Sequence, residues 1–450
     1  MKWSASLVWP VAAAGALGAG LCLAWFTPQA LGPALLAAPL LASLLLTASF
    51  PAQATALWLA ALATCPEMWL GDLIGQAPEI IGVDKAAGLV LLVFCLFRYG
   101  ARRDAFNPGL AFPVMFAAGY LHGVWPGLTL SESLRSLVGS VGPFAFSFAR
   151  LSPRWCRLVI RTVIAGPFII IGFGACLAAA GLRPLYIFED QALRLGASTH
   201  PAFLAGFALI SIYALLVEQV RRPRGGLLVL LALDIGVMLA TGARAPLAIA
   251  VVLIFSVVLC VRVRGWGWAS RIPVLLTVLA VPAAAVLAAP VLGFVRLFSL
   301  ARQGDILALS NRMVIWPVYE AAFLRSPWFG WGTGAGRVIV PIGALLWHLL
   351  GTNAAHDEYL RIAVEGGAAG LGLLLLLFLL WLWHGTRPMQ APERAVMRLI
   401  FLAFALHSAT DNTLIATTAS LMFAWVSAVF ARGAAERGFR PSALSGRLGG

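Results

Sequence analysis

Charge is what this sequence has least of. Only 11% of its 450 residues are Asp, Glu, Lys or Arg, and its mean hydropathy is +0.91. A soluble domain of this size needs far more charge on its surface. Short segments of alternating polarity are also missing, which excludes a membrane β-barrel. There is no internal repeat, no heptad run and no low-complexity linker. Six cysteines, Cys22, Cys65, Cys95, Cys156, Cys176 and Cys260, form no CxxC pair. Most lie in apolar runs and read as small buried hydrophobes. No metal or cofactor motif is present.

In place of charge there are apolar runs of membrane length. Spans are expected at 7–26, 31–49, 53–70, 85–98, 108–123, 133–149, 160–180, 201–219, 226–241, 246–261, 273–294, 360–383, 395–411 and 412–430. The fold class is an all-α polytopic membrane protein of about 12–14 helices. The pairs near 53–98 and 395–430 could merge or become re-entrant. One transmembrane domain is expected over 1–431, with a basic cytoplasmic tail over 432–450. The first run follows Lys2 and lacks a small-residue cleavage site, so it reads as a span.

The net charge of +14 is gathered in short clusters between spans, as the positive-inside rule requires, and does not point to nucleic acid. The clusters are Arg98/Arg102/Arg103, Arg150/Arg154/Arg157/Arg161, Arg221/Arg222/Arg224, Arg262/Arg264/Arg271, Arg387/Arg394/Arg398 and Arg432/Arg437/Arg440. They fall at every second loop. Those loops and both termini are expected on the cytoplasmic side of the membrane.

The other loops carry acids and single arginines: Arg183, Arg194, Arg244, Arg312 and Arg337. The charge rule does not account for single arginines on that side. The same side holds one long loop, 296–360, expected to contain short helices and ending in His356-Asp357-Glu358. Arg194 and His200 precede one span, Arg244 lies in a tight turn, and Asp411 and Asn412 lie between the last two spans after His407. The topology brings all of them to one membrane face. An arginine fork donates paired hydrogen bonds to phosphate, and histidine is the natural base at neutral pH. Asp234, inside a span, is the one intramembrane acid singled out. The glycines at 330, 332 and 334 have no βαβ context and read as packing glycines.

Asn311-Arg312, Trp316, the run from Pro327 to Gly334, His356 to Leu360 and Glu365-Gly366 together resemble the shared domain of the O-antigen ligase and O-antigen polymerase superfamily. The Thr241-Gly-Ala-Arg244 turn and the Arg194 to Pro201 segment extend the resemblance over roughly 190–415. It implies a glycosyltransferase C-type architecture and a metal-independent, inverting transferase without cofactor. The donor implied is an undecaprenyl-diphosphate-linked glycan. The acceptor is a hydroxyl of the lipid A core for a ligase, or of another lipid-linked repeat unit for a polymerase of O-antigen or exopolysaccharide. Ligation is preferred, because there is one principal outer loop. His356 would be the general base, with Arg194, Arg244 and Arg312 on the diphosphate. Arg337, His200, Asp411 and Asn412 would support them. Asp357 stands where the family has Asn and would orient the imidazole. A lipid-linked glycan transporter fits the span count but leaves the long loop without a task.

Overall fold

The computed structural model describes residues 48–438 apart from 75–76, 103–105, 190–191, 263–266, 268–270, 277, 281–282, 284–311, 351 and 416. The expected span 7–26, most of 31–49 and 273–294, the loop up to Asn311, and the tail beyond Gly438 lie outside the described residues.

The described chain is mostly helical, and several of its helices begin where a side-chain cap or a proline meets an apolar run. The first is α1 (Pro51–Ala63), with Pro51 in its first turn. After it come α2 (Pro66–Ile74) and α3 (Ala77–Tyr99). The expected span 53–70 is therefore two helices, broken at Cys65, whose φ is +50°. Next are α4 (Ala111–His122) and α5 (Leu130–Val141). A reciprocal capping box of Thr129 and Glu132 starts α5. The second half of the expected span 133–149 is a 3-10 segment, Gly142–Phe148. Ser152 caps α6 (Pro153–Ala179).

A short antiparallel hairpin follows, β1 (Tyr186–Glu189) with β2 (Ala192–Leu195), pairing Tyr186 with Leu195 and Glu189 with Ala192. His200 caps α7 (Pro201–Arg221). Then come α8 (Gly225–Thr241), ended by Gly242 in the left-handed region, and α9 (Arg244–Cys260). The outer loop supplies α10 (Arg312–Arg325), α11 (Ala335–Val338) and α12 (Leu345–Leu350). The chain closes with α13 (Glu358–Thr386), α14 (Ala391–Ser408) and α15 (Thr417–Gly438).

By length and composition α6, α7, α13 and α15 can each cross a membrane, and α8 and α9 are shorter apolar helices. Buried along nearly its whole length, α7 packs against α6, α8, α9, α14 and α15. It is the axis of the bundle. At one end of the bundle Arg432 pairs with Glu218 and Glu393, and Arg221 with Glu393 and Glu436. The segment expected as a tail thus begins as the last turns of α15. At the other end lie the hairpin and the loop helices. The loop has a core of its own, built from Ile315, Tyr319, Ala322, Ala335, Ile339, Ala355 and Val364.

The two parts join at a break in α13. Gly367 has φ +64° and ψ −171°, so the helical ladder is interrupted there. The carbonyls of Val364 and Glu365 accept from Trp331 N and Gly332 N, each at 2.9 Å. Ala368 N and Ala369 N donate to Pro327 O at 2.8 Å and Trp328 O at 3.1 Å. A Cβ at Gly367 would lie 2.2 Å from the Trp328 carbonyl carbon. The Gly-Trp-Gly run is therefore a packing device, as its sequence context suggested. Gly367→Ala meets both a forbidden backbone angle and a backbone clash, and should lower the thermal midpoint of the detergent-solubilised protein sharply. Gly372→Ala, in the same helix with open space around it, should leave the midpoint unchanged or raise it, since alanine is the better helix former by about 1 kcal/mol. Equal midpoints for the two variants would refute the inserted-loop account.

Candidate active site

A cavity of about 670 Å³ opens at the loop end of the bundle. Its walls come from α2, α3, α5, α10, the segment before α13 and the turn before α15. The loop core builds its floor. Trp316 Nε1 donates to Ala355 O at 2.9 Å. The Tyr319 hydroxyl is hydrogen-bonded with the carbonyls of Asn353, at 2.7 Å, and Gly336. Burial, aided by the charge of Glu365, pushes the Tyr319 phenol well above its usual range, so it remains a donor. These bonds fix the residues leading to His356.

His356 itself has φ +50°, in the left-handed region that non-glycine residues seldom occupy. Such a residue is held only where its surroundings over-determine it, and functional sites collect them. Its ring lies between two partners: Nδ1 is 3.6 Å from Asp411 Oδ1, and Nε2 is 3.4 Å from Thr352 Oγ1. The ring is half-buried and lines the cavity. On the far side of the same carboxylate, His407 Nε2 is 3.9 Å from Asp411 Oδ2. Two histidines thus flank one carboxylate. Burial opposes ionisation of Asp411. The polar contact with the His356 ring, the charges of His407 and His356 and the amide of Asn412 outweigh it, and hold its carboxyl below the usual range.

The carboxylate facing the imidazole is therefore that of Asp411. Asp357 turns the other way: its Oδ1 accepts from Leu360 N at 3.0 Å and caps α13. Arg312 donates to Thr410 O at 2.7 Å and so braces the turn that presents Asp411. Asn412, nearly buried in the cavity wall, has a side-chain oxygen without a partner among the described residues. Arg337, on α11, also lines the cavity.

Arg194, Arg244 and His200 form a second group. Arg194 is only 5% exposed; its Nε donates to Thr241 O at 2.8 Å and its fork pairs with Glu189. The other oxygen of Glu189 is 3.3 Å from His200 Nε2, whose ring also caps α7 through Ala202 N. Arg244 opens α9 just beyond the turn that Arg194 grips. None of the three lines the cavity. Asp234 is fully buried within α8 and does not line it either.

Residues from the first half of the chain complete the wall. Lys85 on α3 and Arg135 on α5 line it, together with Glu67 on α2. Lys85 feels the charges of Arg337, Arg361, Glu67 and Arg135. Arg361 is buried between Glu358 and Glu365, with Nη1 2.9 Å from Glu365 Oε1. A signal for Lys85 was available: of 32 basic residues only two are lysine, Lys2 and Lys85. Arg135 is a single arginine outside every cluster. Clusters of cations around an open cavity suit a dianionic group such as a diphosphate.

The family model described as O-antigen ligase (Wzy_C) matches residues 227–375. The matched third of the chain is thus similar to the O-antigen ligase domain, consistent with the O-antigen ligase and polymerase superfamily. The match contains Arg244, Arg312, Arg337, His356 and Asp357, and stops short of Arg194, His200 and Asp411. No curated protein matches the chain.

The lowered carboxyl of Asp411 predicts an acid-dependent contribution to stability. A group whose folded value is depressed stabilises fully above its unfolded value, about 4 for Asp, and loses this as pH falls through the folded value. The difference in thermal midpoint between wild type and Asp411→Asn should be present near neutral pH and shrink below about pH 4. A difference that stays constant through that range would show that the carboxylate is not held by the histidines.

Proposed function

We propose that this protein moves a glycan from undecaprenyl diphosphate to a sugar hydroxyl, with His356 as general base. Its O-antigen ligase domain carries the general class of reaction, glycan transfer between a lipid-linked donor and an acceptor. The observation that supports the finer reading is the His356–Asp411 contact at the wall of a cation-lined cavity. In this reading Asp411 holds Nδ1 protonated, so that Nε2 presents its lone pair to the acceptor. The acceptor O–H gives its proton to Nε2 as its oxygen bonds the anomeric carbon. The bond from that carbon to the diphosphate oxygen breaks, and the configuration inverts. Charge grows on the leaving diphosphate, and Lys85, Arg135 and Arg337 are placed to receive it. The 3.6 Å contact is long for a hydrogen bond, as apo sites commonly are before substrate tightens them.

The lipid tail has a matching place. An apolar groove of about 360 Å³ runs between α13 and α14 from Tyr359 to Leu382. It begins three residues from His356, so a polyprenyl chain laid in it would deliver its diphosphate to the cavity. Arg312, Arg194 and Arg244 act one step back in this scheme. Arg312 sets the turn of Asp411, and Arg194 ties the hairpin to the turn before Arg244. The acceptor we propose is the lipid A core, on the periplasmic face of the inner membrane.

Replacing His356 by Ala should lower turnover of purified enzyme about 10²–10⁴-fold, the usual worth of a positioned base, without a requirement for ATP in either protein. A near wild-type rate would remove His356 from the reaction. Loss of one charged hydrogen bond to phosphate costs about 1.5–3 kcal/mol, roughly ten- to a hundredfold. Arg337→Lys and Lys85→Ala should therefore weaken donor-lipid binding by that much, while Arg194→Lys should lower the thermal midpoint with little change in donor affinity. The reverse pattern would return the diphosphate to Arg194. Gene deletion followed by analysis of surface glycan separates the acceptors: core without glycan means ligation, and core with a single repeat means polymerisation.

A further inference from the structure

We propose that the arginine-lined pocket at the end of the bundle opposite His356 binds the phosphate of an anionic phospholipid headgroup. The pocket measures about 640 Å³ and lies where α6 begins and where α7 and α15 end. The His356 cavity is met by the opposite ends of α7 and α15, through Phe203 and Thr417. At 1.5 Å per residue, α7 separates the two sites by roughly 30 Å, a hydrocarbon thickness. The pocket therefore sits in the headgroup layer of the other leaflet and takes no part in the transfer chemistry.

Its charge is unbalanced. Six arginines line it: Arg157, Arg161, Arg221, Arg222, Arg224 and Arg432. Three glutamates answer them, and they are spent on two arginines. Arg432 pairs with Glu218 and the buried Glu393, and Arg221 with Glu393 and Glu436. No ion pair or hydrogen bond engages the guanidinium of Arg157, Arg161, Arg222 or Arg224 among the described residues, and all four are exposed. The internal pairs lock α7, α14 and α15 together and give the pocket a rigid back wall.

Below the arginines the lining turns apolar. Ile164 lies deeper along α6 than Arg157 and Arg161, with Ile160 between those two, and Leu227 continues down α8 from Arg224. A ring of guanidinium forks above an aliphatic wall fits a phosphate that carries acyl chains better than a free ion, which would leave that wall wet. Basic pockets between helices at such a membrane surface bind anionic headgroups on this principle. Ordinary snorkelling predicts something different: exposed arginines spread over the surface, each meeting lipid without a saturable site.

The test is native mass spectrometry of the full chain in detergent, titrated with phosphatidylglycerol, with phosphatidylcholine and with inorganic phosphate. Phosphatidylglycerol should bind saturably, one per chain, and phosphatidylcholine should not. Arg222→Gln/Arg224→Gln, which removes no protein contact, should weaken phosphatidylglycerol at least about tenfold, at roughly a factor of five per surface arginine. Arg157→Gln/Arg161→Gln should do the same. Arg154→Gln, on the same helix but outside the pocket, should bind like wild type. Unweakened binding by both double variants, or equal weakening by Arg154→Gln, would overturn the proposal. Displacement of phosphatidylglycerol by millimolar inorganic phosphate would overturn the lipid as the source and leave a free-phosphate site.

Discussion

The structure depends on one exchange of backbone hydrogen bonds. A helix broken inside an apolar bundle exposes donors and acceptors that hydrocarbon cannot satisfy, each worth about 1–3 kcal/mol if left unpaired. At Gly367 the two carbonyls and two amides released by the break are taken up by the loop backbone from Pro327 to Gly332. The loop is thus hydrogen-bonded into the helix that follows it. Everything in the site hangs on this join. The segment of α13 before the break carries Arg361, Glu358 and Glu365, and its first turn is set directly after His356. Seating the loop on the break fixes α10, and α10 in turn fixes His356 through Trp316 and Tyr319.

Electrostatics explains why the buried ions sit where they do. Arg361 lies almost without solvent between two carboxylates. Such a triad gains little net stability over apolar packing, but removing one member leaves a buried charge unpaired. Its value here is positional: it keeps one arginine of the cavity wall neutralised, while Lys85, Arg135 and Arg337 line the same cavity without an ion pair among the described residues. Glu67, the acid nearest Lys85 in that wall, is already bonded to Thr417.

Much of this was legible in the sequence, and the reasons are physical. Apolar runs report helices in a membrane because length and composition are both constrained there. Thus α7 was expected at 201–219 and spans Pro201–Arg221, and α8 was expected at 226–241 and spans Gly225–Thr241. Segments that are not one straight helix defeated the same rule. The stretch 53–70 divides at Cys65, and 133–149 ends in a 3-10 segment rich in phenylalanine. In the site, the outer-face histidine and Asp411 were visible as polar residues that topology had to gather. Their pairing was not, since Asp357 adjoins His356 in sequence while Asp411 adjoins it in space. Adjacency favours Asp357, but a residue that must cap a helix spends its carboxylate on the third residue beyond it. Lys85 and Arg135 were missed for another reason: the family motifs lie in the second half, and the cavity closes with the first.

The arginines of this chain then divide by what neutralises them. Arg194, Arg221, Arg361 and Arg432 are drawn into contact with acids and hold elements together: the hairpin to the end of α8, α7 to α14 and α15, and the first turns of α13 to themselves. Arg157, Arg161, Arg222 and Arg224 at one end, and Arg135 and Arg337 at the other, border open volume with no ion pair among the described residues. A membrane protein with so few charges cannot spend them on general solubility. Charge that is not paired inside must be balanced by something from outside. On the proposed function the balance at one end falls to the diphosphate of a lipid-linked donor, and on the proposed lipid site at the other to the headgroups of the bilayer. This follows from the cost of an uncompensated charge near hydrocarbon, and it makes the same residue type a structural tie, a substrate contact or a lipid contact according to what lies within reach of its fork.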